Sequence, residues 1–308
     1  MVTVLLIDAA LVALLLLVVG RARAARRQPR ARIAWLAGLV GAIALLTQGT
    51  VIPLGVLDGL LGGTNILKLV QGVLTMVALW LGIQAGIAPV TARVSTLRWR
   101  FPALLAGVFA VVFFVALPER GSTSFRFIED AAATSTGAWV YGVVHMAGIA
   151  LVGVLLCVSA HVSLPGVRWF FRAGAIGIVL GCVSEIADLT LTRFFAPVPI
   201  VSALFDPLFY LGVLAFVIGI FRASRVTGRI RRRGEALLED LGAVARRRGV
   251  AGLPGLADDP LVDTRLHALR VAVEDDAIAT SSPLSAQERE LLDDVDAHLT
   301  RRSTGARP

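Results

Sequence analysis

The sequence predicts an all-α polytopic membrane protein, with seven transmembrane helices followed by a small helical cytoplasmic domain. Three observations carry that expectation. Of the 308 residues 56% are hydrophobic and only 17% charged, at a mean hydropathy of +0.77, far from the balance of a soluble globular domain. The apolar residues gather into runs long enough to cross about 30 Å of hydrocarbon. The arginines bunch at the ends of those runs, so the net charge of +8 and the pI near 10.9 are explained by membrane orientation and not by nucleic-acid binding.

The first run, Val2 to Val19, is followed by Arg21, Arg23, Arg26, Arg27, Arg30 and Arg32. A cleavable signal peptide carries its positive charge first, so this run is expected to stay as a helix with its amino terminus outside. Further spans are expected at Ile33 to Ile52, Ile66 to Ala88, Phe101 to Leu117, Ala138 to His161, Phe170 to Leu191 and Ile200 to Phe221. Their joints are marked by Pro53 and the Gly-rich segment from Gly55 to Thr64, by Pro89, by Pro102, by the polar loop from Pro118 to Thr136, by Leu164-Pro165-Gly166, and by Pro197 with Pro199.

Arginine placement sets the direction of this ladder. One side collects the first six arginines, then Arg93, Arg98, Arg100, Arg168, Arg172, Arg222, Arg225, Arg229, Arg231, Arg232 and Arg233; the other has Arg120, Arg126 and Arg193. The bias places the amino terminus outside and the carboxyl terminus in the cytoplasm. Residues 1–222 are then the membrane domain and 223–308 a cytoplasmic helical tail.

In the tail, Gly234 to Arg248 reads as an amphipathic helix, and Asp259-Pro260 as an N-cap with proline at the first helical position of a helix through about Ile278. Ser285 and Glu288 form a capping-box pattern opening Ala286 to Thr300. Apolar positions including Leu266, Leu269, Val273, Leu292, Val295 and Leu299 repeat at helical spacing. Such a tail suits docking on a cytoplasmic protein partner through residues 234–308.

The sixth expected span, GAIGIVLGCVSEIAD, is apolar enough for lipid and still holds two carboxylates. Gly177, Gly181 and Glu185 fall four apart on one face, with Asp188 close to it. Small residues mark a close helix approach, so Glu185 and Asp188 are expected to face protein. Gly82 and Gly86 are read as a second packing pair. Asp8, Lys68, His145 and Asp206 fall with these acids in the outer half of the expected helices, Asp206 about two turns into the seventh. Lys68, Gln71 and Thr75 share a face, as do Tyr141, His145 and Gly148. Asp206 precedes Pro207, where a kink would free a carbonyl.

An outward-facing polar cavity lined by Asp8, Glu185, Asp188, Asp206, Lys68 and His145, with Gln71 beside Lys68, follows as the sharp reading. It would take a small cation, a protonated amine or a proton. The plain alternative is a structural one, with residues near helix ends reaching interfacial water and Lys68 pairing with Glu185 or Asp8. Phosphate-binding, zinc-protease and nucleophile-elbow motifs are missing from the sequence, so no catalytic residue, metal or cofactor is assigned. Cys157 and Cys182 sit in apolar runs and read as packing residues. His267 in RLHALR has too few residues after it for a kinase ATP-binding domain.

Asn65-Ile66-Leu67 opening the third span, Tyr141 in the fifth, Arg172-x-Gly174 leading into the sixth, and Arg265-Leu266 through Arg270 in the tail give the chain a further likeness. The layout resembles a family of actinobacterial integral membrane proteins with seven helices and a small helical cytoplasmic domain, whose members are labelled transporters or regulators. The use of arginine, with Lys68 the only lysine, fits a GC-rich source. The resemblance implies residence in the bacterial plasma membrane. Together these features lead to the expectation of a receptor-like or regulatory membrane protein. A small proton- or cation-coupled carrier and a ligand-free scaffold are the alternatives.

Overall fold

In the computed structural model the residues described are 2–27, 29–87, 97–160, 165–250 and 262–304. They divide into two compact units, Met1–Phe221 and Arg222–Pro308. Among the described residues all regular structure is helical.

The first unit holds α1 (Val2–Arg27), α2 (Pro29–Leu46), the short α3 (Leu54–Gly59), α4 (Ile66–Ile87), α5 (Leu97–Ala116), α6 (Phe127–Thr134), α7 (Thr136–Ser159), α8 (Pro165–Phe194), α9 (Pro199–Ser202) and the first part of α10 (Phe205–Arg247). Among the described residues six helices are long and apolar enough to cross a membrane, and Ala31–Leu46 is a shorter apolar helix. The chain is therefore an all-α protein built for several membrane crossings. Its outer faces are apolar, with Val19, Leu104, Val111 and Val115 all more than half exposed, a surface suited to lipid and not to water.

Helix α2 packs between α1 and α4, and α7 touches α4, α5, α6 and α8. Glycines permit these approaches. A Cβ on Gly41 would sit 3.3 Å from Leu14 of α1 and 3.6 Å from Ala78 of α4. Where α8 meets α10 the backbones themselves touch: a Cβ on Gly212 would lie 2.7 Å from Ile178 N and 2.8 Å from Gly174 O.

Several element boundaries differ from the sequence reading. Helix α2 stops at Leu46, six residues before the expected Ile52, because the chain turns at Thr47 to Gly49 with Gly49 at φ +85°. Thr47 Oγ1 donates to Ala44 O at 2.6 Å, and Gln48 lies in that turn. Pro102 falls inside α5 instead of before it. The segment Pro199–Ser202 forms a separate turn of helix, α9, so α10 starts at Phe205 and Asp206 is in its first turn, not two turns deep. Pro207 is then the third helical residue, where no intrahelical partner exists for an N–H, and the expected kink has no cause. The loop after α5 carries a helix of its own, α6. Pro89, Arg93, Leu164, His161 and Asp259-Pro260 lie outside the described residues.

The second unit contains the remainder of α10, α11 (Val262–Ala279) and α12 (Ala286–Thr304). The expected break before Gly234 is missing, since α10 runs on to Arg247. Leu237, Leu241, Val244 and Ala245 of α10 close a core with Leu266, Val273, Leu292 and Val295. Arg248 ties its corners together: Nε and Nη2 donate to the two Glu288 oxygens at 3.0 and 2.7 Å, and Nη1 and Nη2 reach the carbonyls of Ser282 and Pro283. Glu288 also accepts from Ser285 N at 2.9 Å while its own N–H donates to Ser285 Oγ at 3.2 Å, a complete capping box. The Arg248 hydrogen bond, with that from Ser285 N, pulls the Glu288 carboxyl down to about 2. Arg270 also joins α11 to α12, its Nη2 donating to Asp296 Oδ2 at 2.7 Å and its Nε in ion-pair contact with Oδ1 at 2.6 Å.

Candidate functional site

The glycine face of α8 explains why its acids are inside. A Cβ on Gly177 would lie 2.9 Å from Leu208 O, and one on Gly181 3.0 Å from Phe209 N, so this face is pressed on the α10 backbone. Glu185 and Asp188 follow on the same side and are only 7% and 6% exposed. Gly82 of α4 is seated on the ring of Phe216; the packing of Gly86 lies outside what the structure describes.

Asp188 accepts a hydrogen bond from Ser202 Oγ of α9, which brings the α8–α10 connection back onto the acid. Asp206 accepts from Thr3 Oγ1 of α1 at 2.9 Å. Glu185 stands within electrostatic range of Asp188, Asp206, Glu129 and Arg126. Lys68 of α4 lies within range of Glu129 and Glu185, with its Nζ 4.9 Å from the centre of the Phe125 ring. The contact ion pair anticipated for Lys68 does not form among the described residues. His145 stacks on Tyr141, meets Phe109 edge-on, and has its Nε2 against Gly72.

The structure thus gathers Lys68, His145, Glu185, Asp188 and Asp206 at one end of the first unit. No contact joins Asp8 to them among the described residues, and Gln71 is near only in lying three residues after Lys68 on α4; Asp8 Oδ1 and Gln71 Oε1 are buried without a hydrogen-bond partner among the described residues, as are Tyr141 Oη and His145 Nε2. Low exposure of the α8 acids makes this a nearly closed polar cluster, where the sequence suggested a cavity open to the outside.

Two members were missed. Glu129 and Arg126 come from the segment read as a plain external loop. Burial pushes the Glu129 carboxyl up, against the opposing pull of its backbone hydrogen bond and of Lys68 and Arg126. The usable signal was the apolar residues Phe127, Ile128 and Ala131 to Ala133 on either side of Glu129, a helical amphipathic stretch in which Phe127 and Ala132 are buried and Glu129 half-buried. With Glu129 the acids outnumber the cations by four to two, counting Glu129, Glu185, Asp188 and Asp206 against Lys68 and Arg126. Carboxyl groups gathered in this way can hold a proton or take a monovalent cation or an ammonium group in its place.

A second missed feature holds the site's roof. Asp58 is fully buried and accepts from Asn65 N at 2.7 Å, Leu67 N at 2.9 Å and Thr123 Oγ1 at 2.6 Å. It therefore satisfies the first donors of α4 in the manner of an N-cap. Burial opposes the Asp58 anion, but the hydrogen bonds from Thr123, Leu67 and Asn65 outweigh it and hold the carboxyl below its usual range. Asn65, at φ 59°, takes the left-handed conformation that asparagine tolerates. Its Nδ2 donates to Arg120 O and Ser122 O at 2.7 and 2.9 Å, and its Oδ1 accepts from Ser124 N at 2.9 Å. The loop that leads into Phe125, Arg126 and α6 is thereby fastened one turn above Lys68.

Comparison with protein-family models, with curated proteins and with solved structures gives no match.

Proposed function

We propose that the chain is a receptor-like or regulatory protein of the bacterial plasma membrane, with a small-cation or amine site in the outer half of its helices and a cytoplasmic domain that engages a protein partner. The observation that carries this reading is the convergence of Glu129, Asp188 and Asp206, from three separate helices, on Glu185, with Lys68 in range of Glu129 and Glu185. Buried intramembrane acids are costly and are retained where they bind or switch.

In this reading α2 is the seventh crossing. Its apolar part, Ala31–Leu46, measures about 24 Å, a shortfall against about 30 Å of hydrocarbon that local thinning of the bilayer accommodates. Seven crossings and the arginine bias put the amino terminus outside and residues 223–308 in the cytoplasm. The likeness to the actinobacterial seven-helix proteins supports the same arrangement. The chain acts without chemical catalysis: occupancy of the outer cluster biases the helices, and the tail passes that bias to its partner.

The test is the thermal midpoint of the purified full chain across pH, with sodium, potassium and a series of small amines, for wild type, Glu185→Gln and Asp188→Asn. A ligand of the folded state raises the midpoint by mass action. A rise in wild type that both variants lose supports the site. Identical curves for all three proteins under every condition refute it. Flux through reconstituted vesicles that survives deletion of Gly234–Pro308 would identify a carrier instead.

A further inference from the structure

The ends of α7 and α8 away from the carboxylate cluster form a second place with chemistry of its own. Cys157 and Val158 of α7, with Trp169, Arg172, Ala173 and Ile176 of α8, line a groove of about 560 Å³. Its walls are the kind of surface that meets lipid: Val158 is 62% exposed, Ile176 50% and Trp169 63%. Trp is the residue that settles at the headgroup level, its ring apolar and its N–H polar.

Arg172 lines the groove, and Arg168 lies one turn before it on α8. Arg168 and Arg172 are four apart on α8 and so share a face. Their guanidinium carbons lie 5.8 and 5.7 Å from the centre of the Trp169 ring, so both are within cation–π reach of it. Neither arginine makes an ion pair among the described residues, and Arg168 Nε is buried without a hydrogen-bond partner. No acid occupies the first turn of α8. A half-buried pair of guanidinium groups next to an apolar groove is charge-complementary to one kind of occupant, a phosphodiester anion that brings its own hydrocarbon.

We propose that this groove binds an anionic phospholipid, its phosphate between Arg168 and Arg172 and one acyl chain along Cys157, Val158 and Ile176. Arginine offers a planar fork that matches phosphate oxygens. The Trp169 ring is within reach of both forks, and the groove supplies what a free phosphate could not use. A zwitterionic lipid carries the same phosphate with a cationic group beside it, so it loses most of the attraction.

The experiment measures retained lipid on the full chain in detergent by native mass spectrometry, after exchange into phosphatidylglycerol or phosphatidylcholine. Wild type is expected to hold phosphatidylglycerol selectively. Replacing both cations in Arg168→Gln/Arg172→Gln is expected to weaken it about 30-fold, from about 1 kcal/mol for each arginine near the membrane surface. Cys157→Trp fills the groove without changing charge and is expected to weaken the same lipid, which keeps the test alive if the double variant does not fold. Equal retention of the two lipids overturns the proposal, as does a double variant that binds like wild type. Displacement of the lipid by soluble glycerol phosphate at equal concentration also overturns it, since that outcome describes an anion site without a lipid.

Discussion

Asp58→Asn is the sharpest probe of how the outer end is held. Both carboxylate oxygens of Asp58 accept from backbone N–H groups, Oδ2 from Asn65 and Oδ1 from Leu67, and Oδ2 also accepts from Thr123. An asparagine has one acceptor oxygen, so whichever way its amide turns, an NH2 group faces a backbone donor. The change keeps shape and removes charge, two properties that a cavity-forming substitution would confuse. Loss of charge-assisted hydrogen bonds in a fully buried position costs about 2–4 kcal/mol. Local opening at the start of α4 would then rise by roughly 30- to 900-fold. Hydrogen exchange of the full chain reads this directly at the amides of Asn65, Leu67 and Ser124. Acceleration confined to α4's first turn and the 120–124 segment is the expected pattern. Because the folded carboxyl lies below its unfolded value, its contribution is present above about pH 4 and is lost as pH falls through the folded value. Wild type should therefore approach the variant in strong acid. Exchange in Asp58→Asn that matches wild type at neutral pH would refute the assignment of Asp58 as the latch.

Other outcomes follow from the same geometry. Gly212→Ala puts a Cβ 2.7 Å from a backbone nitrogen and should destabilise the α8–α10 contact by about 1–3 kcal/mol, whereas Gly107→Ala meets nothing within 4 Å and should be neutral or slightly stabilising, as midpoints in detergent will show. Burial raises the folded Glu129 carboxyl, so wild type should lose stability as pH rises from about 4 toward that higher value. Glu129→Gln should remove the loss and melt higher than wild type at pH 7, in a midpoint-versus-pH series. Glu288 behaves in the opposite sense. Its carboxyl is lowered to about 2 by Arg248, so the tail keeps this contribution above about pH 4 and loses it as pH falls toward 2, a slope that Glu288→Gln should abolish in circular dichroism of the full chain.

Much of the helical plan could be read from runs of apolar residues, because crossing a bilayer demands length and apolarity and little else. The tail was legible for a different reason. Ser285 and Glu288 form a local pair, and local hydrogen bonds need no knowledge of the fold. What escaped was whatever depends on distant partners. Asp58 sits in a Gly-rich loop that reads as a joint, and its meaning comes from Thr123, 65 residues away. Glu129 looked solvent-exposed until α6 folded over the bundle end. Asp206 was placed too deep because Pro199 to Ser202 matched the hydrophobicity of the helix it precedes, and only Ser202 donating to Asp188 marks it as a separate turn. Lys68 shows the limit of pairing by expected depth, since it rests over Phe125 and forms no contact ion pair among the described residues.

In the function proposed above, the converging carboxylates respond to a cation arriving from the outer side. Infrared difference spectroscopy on the full chain in oriented vesicles measures this at the carboxyl groups themselves, as external cation or small amine is added. A saturable change in the carboxyl and carboxylate stretching bands is expected, lost in Glu185→Gln and much reduced in Asp188→Asn. Spectra that stay unchanged on addition, or a change that Glu185→Gln retains in full, would contradict it.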